Sequence, residues 1–222
     1  MNKLTKKDLN ANIYLSNGNL KLRSDAKNHF LIWNLPAIKT CLWATELCKK
    51  FCYARKAEVL YPDCLDCRER NLEESYKDTF VKDMVDIISW NLGRPKLQGK
   101  KVWFRIHESG DFYNLEYLKK WISIAEQFPN VTFLAYTKAV RLVDQFHYIP
   151  ENFVIRYSVW EDTKQEELEI AYKNGMPIYT AFEQEVLDDK IKSEGFSKCH
   201  CDCQKCKKCY TVKNMKLAVA IH

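Results

Sequence analysis

The residues best suited to chemistry are the ten cysteines of this chain of 222 residues. Three of them, Cys41, Cys48 and Cys52, occupy one short segment, CLWATELCKKFCYA. Three thiolates can hold an iron-sulfur cubane and leave one iron open, whereas a closed structural zinc site takes four ligands. The segment therefore predicts a metal centre with two alternatives open: a [4Fe-4S] cluster on three cysteines, or zinc with a fourth cysteine such as Cys64.

A second group of cysteines near the carboxyl end predicts another metal site. Its candidate ligands are Cys199, Cys201, Cys203, Cys206 and Cys209. The last three have the compact C-x2-C-x2-C spacing of bacterial ferredoxins, and either of the first two could supply a fourth thiolate. Zinc is the alternative, because the pair Cys64 and Cys67 could join Cys206 and Cys209 in a four-thiolate site. We expect either a second iron-sulfur cluster or zinc here.

Composition indicates an environment in which these thiols stay reduced. Hydrophobic residues make up 46% of the chain and charged residues 29%, as in an ordinary globular domain. The lysine-rich start MNKLTKKDLNANIY has neither a secretory signal nor an apolar span, so we predict a cytoplasmic protein with no membrane association. In a reducing compartment, cysteines bind metal more often than they form disulfides. The net charge of +6 and a lysine-rich tail permit nucleic acid as a partner, although a solvated surface explains them equally well.

Alternating strand and helix patterns predict an α/β fold. Short runs rich in β-branched and aromatic residues predict six strands, at 29–35, 102–107, 131–137, 153–160, 177–182 and 217–221. Helical periodicity predicts helices at 71–91, 115–125, about 139–147 and 165–173. This alternation indicates βαβ units and a mainly parallel sheet. We expect an N-terminal extension (1–28), a partial βα barrel (29–195) and a cysteine-rich metal-binding segment closing with a last strand (196–222).

One face of the predicted sheet carries polar side chains. By strand alternation, Arg105 and His107 share one face of the second strand, and Arg156 and Ser158 share one face of the fourth. A sheet covered by helices on both faces should be apolar on both. The pattern therefore favours a partial barrel with helices outside and a functional lumen inside.

Candidate site residues follow successive predicted strands. Cys41 follows the first strand, the segment ESGD at 108–111 follows the second, and Lys138 follows the third. In βα barrels these positions meet at the rim that holds the active site.

Two side chains near this rim have both a functional and a structural interpretation. His107 is the candidate catalytic residue because of its position, and Arg105 could bind substrate or form an ion pair with Glu108 or Asp111. For Asp111 alone we favour a structural role, as the cap of the helix that begins near residue 114.

Four blocks of sequence resemble a phage-encoded family called gene product eighty-eight. They are NLPAIKTCLWATELCKKFCYARKAE, RIHESGDFYNLEYLKKW, FLAYTKA and CQKCKKCY. That family shares a three-cysteine segment ending in Cys-Tyr-Ala, an Arg-Ile-His-(Asp/Glu)-Ser-Gly-Asp-Phe block and a cysteine-rich tail. The wider resemblance is to radical S-adenosylmethionine enzymes, which are partial βα barrels with three cysteines after the first strand and an aromatic residue, here Phe51, before the last of them.

This wider resemblance implies a cofactor and an activity. Cys41, Cys48 and Cys52 would bind a [4Fe-4S] cluster whose open iron chelates the methionine moiety of S-adenosylmethionine. The residues that would contact this cofactor are Phe51, Glu108, Ser109, Asp111, Lys138 and, at the carboxylate, Arg156. The implied activity is reductive cleavage of S-adenosylmethionine to modify an unknown substrate, with electrons from an external donor. The alternatives are a zinc-stapled protein that binds nucleic acid and a cluster protein that only transfers electrons.

Overall fold

Seven strands form a single sheet in this computed structural model, which describes residues 5–19 and 21–221. They are β1 (Asn28–Trp33), β2 (Lys101–Ile106), β3 (Val131–Thr137), β4 (Phe153–Val159), β5 (Ile178–Phe182), β6 (Ser197–Lys198) and β7 (Leu217–Ala220). Their order in the sheet is β1-β2-β3-β4-β5-β7-β6, and every neighbouring pair is parallel. The sheet curls into a half-barrel, so the predicted α/β class and curved parallel sheet are confirmed.

The described residues also form ten α-helices and two short 3-10 helices. The α-helices are α1 (Glu46–Lys50), α2 (Tyr53–Leu60), α3 (Pro62–Tyr76), α4 (Phe80–Leu92), α5 (Leu115–Glu126), α6 (Val140–Val143), α7 (Gln165–Lys173), α8 (Gln184–Glu194), α9 (Cys203–Cys206) and α10 (Lys208–Thr211). The 3-10 helices are Lys6–Asp8 and Pro95–Leu97. None of these helices combines the length and the apolar character needed to span a bilayer.

All six predicted strands are present to within two residues at either end, because each is a β-branched or aromatic run bounded by polar residues. The strand missed is β6, whose two residues are too few to show a pattern. The predicted helix at 165–173 coincides with α7, and Gly175 follows its end at φ 59°.

The prediction of one helix over 71–91 is wrong, because the chain forms α3 and α4 with a break at residues 77–79. Lys77 is extended at the break (φ −69°, ψ 148°), and the Lys120 ammonium binds the freed carbonyls of Ser75 and Lys77. The helix expected over 139–147 is also shorter, because only Val140–Val143 is helical. Periodicity along one segment does not show that Lys120, on a different helix, binds the carbonyls left free where α3 ends.

The outer face of the half-barrel carries the main hydrophobic core. Leu31, Phe104 and Phe133 project from the strands toward α3 to α7, and Trp121 of α5 packs against Phe104 with ring centroids 5.5 Å apart. Helix α5 presents an apolar face because its buried side chains recur every three or four residues. The helix begins after Asn114, whose Oδ1 accepts a hydrogen bond from Tyr117 N at 2.8 Å.

The chain before β1 packs on the sheet edge. Ser16 and Ile32 exchange two backbone hydrogen bonds, of 2.9 and 2.8 Å, across an isolated antiparallel bridge. This contact covers part of an edge that would otherwise expose unpaired backbone groups. Residues 1–4, 20 and 222, which belong to the predicted extension (1–28) and tail (196–222), lie outside the described residues.

The inner face is covered by the cysteine-rich tail rather than by a layer of long helices. At the amino-terminal end of the strands this face is apolar, and Tyr210 of α10 packs against Phe30 and Trp103 with ring centroids 6.2 and 5.3 Å apart. Toward the carboxyl ends the face becomes polar, with Arg105 on β2 and Arg156 on β4. The polar lumen expected from strand alternation is therefore present in the carboxyl-terminal half of the barrel.

Arg156 ties the tail to the inner face. Its side chain is fully buried, and its guanidinium donates to four carbonyl oxygens of the tail. These belong to Cys209 (3.0 Å), Met215 (3.1 Å), Lys208 (3.3 Å) and Val212. A buried charge requires compensating hydrogen bonds, and here the backbone of the tail supplies them.

We expect replacement of Arg156 by methionine to lower the free energy of unfolding by about 3 kcal/mol or more, because it leaves buried carbonyls without donors. Urea denaturation measures this change, and limited proteolysis should show earlier cleavage between residues 199 and 216. The matched control is Arg141→Met, which removes a surface ion pair with Glu166 and should cost at most about 0.5 kcal/mol. Equal losses in the two variants would contradict this assignment.

Candidate functional site

The loops after β1 and β2 meet at the carboxyl-terminal rim of the half-barrel. Leu35 N donates to Ser109 O at 3.0 Å, and the chain passes Gly110 at φ 88°. A Cβ on Gly110 would lie 2.6 Å from Leu35 Cβ and 2.7 Å from Thr40 Oγ1, so only glycine permits this approach. The contact brings Cys41, at the end of the first loop, beside Asp111 in the second.

Asn34 fixes the turn that follows β2. Its side-chain oxygen accepts from the amides of Glu108 (2.8 Å) and Ser109 (3.1 Å), and its own carbonyl accepts from Asn71 Nδ2 at 2.9 Å. The Asn34 side chain thus accepts hydrogen bonds from two backbone amides for which no neighbouring strand provides an acceptor. The predicted rim residues Glu108 and Ser109 are therefore held through their backbones.

A buried ion pair anchors the helix that follows the rim cysteines. Glu58 of α2 pairs with Arg68 of α3 at 2.7 Å, with side chains only 9% and 10% exposed. The same carboxylate accepts from Ala37 N at 2.8 Å and from Ser109 Oγ at 3.4 Å. This pair connects α2, α3 and both rim loops.

The three cysteines predicted as cluster ligands gather at this rim. Cys41, Cys48 and Cys52 are partly buried free thiols. Burial, the neighbouring Asp111 and, to a smaller extent, Cys48 and Cys52 raise the pKa of Cys41 to about 12. Burial also raises the pKa of Cys48, while the ammonium of Lys138 opposes that rise. The thiols are therefore close enough to influence one another, and a cation lies beside them.

Within the described residues, no three His, Cys, Asp or Glu side chains form a group that could hold a metal ion. The rim thiols share one region without converging on a single point.

The loop after β4 completes the rim. The Asp162 carboxylate accepts from Leu47 N at 2.9 Å, at the start of α1. Phe51 stacks on Trp160 with ring centroids 5.8 Å apart and planes 2° apart. These contacts join the segment between Cys41 and Cys52 to the loop after β4. The predicted cofactor contact Phe51 thus forms part of an aromatic wall beside Cys52.

Two buried charges, Asp111 and Lys138, lie at the centre of the rim. The Asp111 carboxylate accepts from Thr137 Oγ1 (2.6 Å), Lys138 N (2.8 Å) and Phe112 N (2.7 Å), yet burial raises its pKa to about 6. The expectation that Asp111 caps the next helix is wrong, because Asn114 caps α5 and Asp111 instead fixes the turn after β3. Lys138 Nζ donates to the carbonyl of Ser158 at 2.6 Å, and burial lowers its pKa.

His107 does not face the lumen as strand alternation predicted. Its backbone is left-handed (φ 64°), so the ring turns outward and its Nε2 lies 2.9 Å from the hydroxyl of Tyr117 on α5. It is 2% exposed, and burial, with help from Arg105, lowers its pKa to about 3. We therefore leave His107, the predicted catalytic residue, out of the candidate site.

The remaining predicted cofactor contacts lie in different settings. The Glu108 carboxylate accepts from Asn19, and its carbonyl accepts from Tyr53 OH at 2.6 Å, so it stays at the rim. Arg156, by contrast, is engaged by the four carbonyls of the tail. A contact between Arg156 and a cofactor carboxylate would require those bonds to break.

The tail thiols form a second group in the lumen, with one cysteine outside it. Cys199 and Cys203 each lie within electrostatic reach of Cys201 and Cys209, whereas Cys206 is exposed. The backbone explains this separation. Lys207, at φ 51°, ends α9 and starts α10, which interrupts the C-x2-C-x2-C run.

The structure does not assemble the four-cysteine zinc site suggested by the CLDC motif. Cys64 and Cys67 lie on α3, in the helix layer outside the sheet, where Cys67 Sγ accepts from Arg70 at 3.2 Å. The charged neighbours of Cys64 are Arg68, Glu58 and Cys67. The tail lies on the opposite face, so the sheet separates the two pairs.

The lysine-rich tail region contains several ion pairs. Lys190, Lys198 and Lys205 pair with Glu194 (3.0 Å), Asp188 (2.6 Å) and Asp202 (3.3 Å), respectively. Binding of nucleic acid through this region stays a prediction.

Sequence reasoning missed the residues that position the site, chiefly Asn34, Glu58, Arg68 and Trp160. Asn34 and Glu58 are the first and last residues of the block NLPAIKTCLWATELCKKFCYARKAE, in which only the cysteines and Phe51 were singled out. The available signal was local: Glu58 and Arg68 are charged residues within otherwise helical stretches, and nothing nearby marks them as buried.

We expect Glu58→Gln to lower the free energy of unfolding by about 3 kcal/mol, because Arg68 would remain buried without a counter-charge. Chemical denaturation at neutral pH tests this. The control Glu116→Gln removes an exposed pair with Lys119 and should change stability by at most about 0.5 kcal/mol. If the two substitutions were equally mild, the Glu58–Arg68 pair would not hold the rim together.

His107 should also make stability depend on pH. Its folded pKa of about 3 lies below the unfolded value, so the unfolded chain takes up a proton as the pH falls below about 6.5. This contribution is fully present above that pH and is lost toward pH 3. Asparagine tolerates the left-handed backbone, so His107→Asn is the test variant. From pH 7 to pH 4.5, the free energy of unfolding should fall by about 2 kcal/mol more in the wild type than in His107→Asn.

Urea titrations at the two pH values give this difference. Asp111, with a raised pKa, acts in the opposite direction between about pH 4 and 6, and both proteins retain it. An identical pH dependence in variant and wild type would contradict the assignment.

Comparisons with known proteins identify relatives by sequence. A family model described as "Gene product 88" matches residues 13–213. The "Gene 88 protein" of Mycobacterium phage D29 is 32% identical over 104 residues, and that of Mycobacterium phage L5 is 31% identical over 109 residues. Each alignment covers 45% of this chain, but only 42% and 43% of the two phage proteins, less than half of their length. No solved structure matches this chain.

Proposed function

This chain belongs to the gene product 88 family, and we propose that it is an iron-sulfur enzyme similar to radical S-adenosylmethionine enzymes. The observation that carries the proposal is the gathering of Cys41, Cys48 and Cys52 at the carboxyl-terminal rim of a curled parallel sheet, beside the buried Lys138. The rim of a βα barrel is where catalytic groups converge in this class of fold.

The donor set fits a cluster better than a single ion. Zinc draws four ligands toward one point, whereas a cubane binds each thiolate to a different iron. Three partly buried thiols in one region suit the second arrangement in number, with one thiolate for each of three irons. When bound, a [4Fe-4S] cluster supplies an electron for reductive cleavage of S-adenosylmethionine.

Residues around the thiols provide charge and enclosure. Thiolates are anionic, and the ammonium of Lys138 would offset part of their charge in a site where solvent cannot. Asp111 fixes the Lys138 backbone and so keeps the cation beside Cys48. The stacked rings of Phe51 and Trp160 limit access of water from one side.

We assign the second metal site to Cys199, Cys201, Cys203 and Cys209, without Cys206. These four thiols lie on the segment that covers the inner face, and Cys203 and Cys209 pack against its apolar cluster. Either a second cluster or zinc suits four thiolates, and the site would hold the tail in addition to Arg156.

We expect protein purified without oxygen to contain iron and sulfide, with about four irons per chain at the rim site. Cys41→Ser and Cys52→Ser should each lose that amount, while the matched variants Cys64→Ser and Cys67→Ser should keep it. Iron and sulfide analysis with electron paramagnetic resonance of the reduced protein measures the cluster. Assay of 5′-deoxyadenosine after addition of S-adenosylmethionine and a reductant then tests the chemistry.

The outcomes separate the candidates. A colourless protein that contains only zinc would overturn the cluster. Reversible reduction without cleavage of S-adenosylmethionine would identify an electron carrier instead.

A further inference from the structure

Arg105 is a cation in the lumen, and no ion pair with it is formed by residues 5–19 or 21–221. It lies on the inner face of β2, half-buried, with its guanidinium stacked 3.9 Å from the ring centroid of Tyr136. Among the hydrogen bonds of the described residues, Arg105 makes one, in which its Nε donates to the carbonyl of His107 at 3.0 Å. Within the described residues, no carboxylate lies within ion-pair distance of Arg105, so the expected pair with Glu108 or Asp111 is absent.

The two arginines of the lumen therefore differ in the hydrogen bonds that their guanidinium groups make. Arg156 directs its guanidinium into four carbonyls, while the terminal nitrogens of Arg105 make no hydrogen bond with the described residues. The terminal nitrogens of the half-buried Arg105 can therefore donate to an acceptor that reaches the inner face.

A second unused donor faces the same space. The hydroxyl of Tyr210 is buried and has no hydrogen-bond partner, although the residue is only 3% exposed. Tyr210 packs on the ring of Trp103, which shares the inner face of β2 with Arg105, and a phenol hydroxyl can donate a hydrogen bond. An acceptor between these two groups would satisfy both.

We propose that Arg105 and Tyr210 bind an oxyanion, the carboxylate or phosphate group of a small molecule that enters the lumen from the rim. A planar guanidinium presents parallel donors to two oxygens of either group, and the phenol would donate to an oxygen of the same group. Tyr136 holds the guanidinium in place by stacking on it.

The location connects this site with the rim. Tyr53, which directly follows Cys52, and Glu108 lie near Arg105 on its rim side, and Cys203 lies near it on the tail side. An anion held by Arg105 would lie between the two groups of thiols, within reach of a molecule that enters from the rim. The Glu108 carboxylate accepts from Asn19 and would repel an anion on its side, which limits how the ligand is oriented.

Ligand-induced stabilisation tests the inference on the full chain, whatever its metal content. Sodium phosphate and sodium acetate are added separately at constant ionic strength, with sodium chloride as the reference, and the unfolding midpoint is followed by differential scanning fluorimetry. A ligand that binds only the folded state raises this midpoint. We expect a rise for at least one oxyanion: phosphate alone indicates a phosphate group and acetate alone a carboxylate.

Two variants locate the binding. Arg105→Gln should abolish the oxyanion-specific rise, and Tyr210→Phe should weaken binding at least fivefold in an isothermal titration. Because the Tyr210 hydroxyl has no partner, its removal should leave the midpoint in chloride unchanged or higher, so Tyr210→Phe remains informative even if Arg105→Gln does not fold. The surface variant Arg141→Gln is the matched control and should respond as wild type does.

Three results would overturn the site. They are no rise beyond chloride in the wild type, an equal rise in Arg105→Gln, and normal affinity in Tyr210→Phe. Loss of metal from the tail of Arg105→Gln without any oxyanion effect would instead make Arg105 a counter-charge to the tail thiolates, which also contradicts the proposal.

Discussion

The burial of Arg156 on the inner face of the sheet is the constraint on which the rest of this structure depends. A guanidinium cannot remain in a protein interior without acceptors, and no acidic side chain approaches it from the sheet. The carbonyls of the tail satisfy it, so the tail must lie across the sheet at that point. The tail therefore takes the place that a layer of helices occupies in a doubly wound fold.

This single arrangement has consequences at both ends of the lumen. At the amino-terminal ends of the strands, Tyr210 fills the space against Phe30 and Trp103 and closes it. Toward the carboxyl-terminal ends the inner face is polar, with Arg105 and Arg156 on it. The tail thiols and the rim thiols consequently belong to different regions of one half-barrel, with Arg105 between them.

The rim depends on buried polar contacts more than on apolar packing. Gly110 lets two loops touch, Asn34 satisfies the amides of one of them, and the Glu58–Arg68 pair ties the helices after the cysteines to both. Such networks are specific in geometry because each unsatisfied member would be costly. At the rim this network surrounds the segment that carries Cys41, Cys48 and Cys52.

Local pattern was enough to determine the strands, the parallel α/β class and the placement of Cys41, Cys48 and Cys52 just after β1. Those features arise from side-chain alternation and chain order, which the sequence records directly. Four features were decided by tertiary structure alone: the outward turn of His107, the hydrogen bonds of Arg156 to the tail, the exposure of Cys206 and the lack of an ion pair between Arg105 and any described residue. Each depends on a left-handed residue or on a partner far along the chain, and such contacts leave no trace in local periodicity.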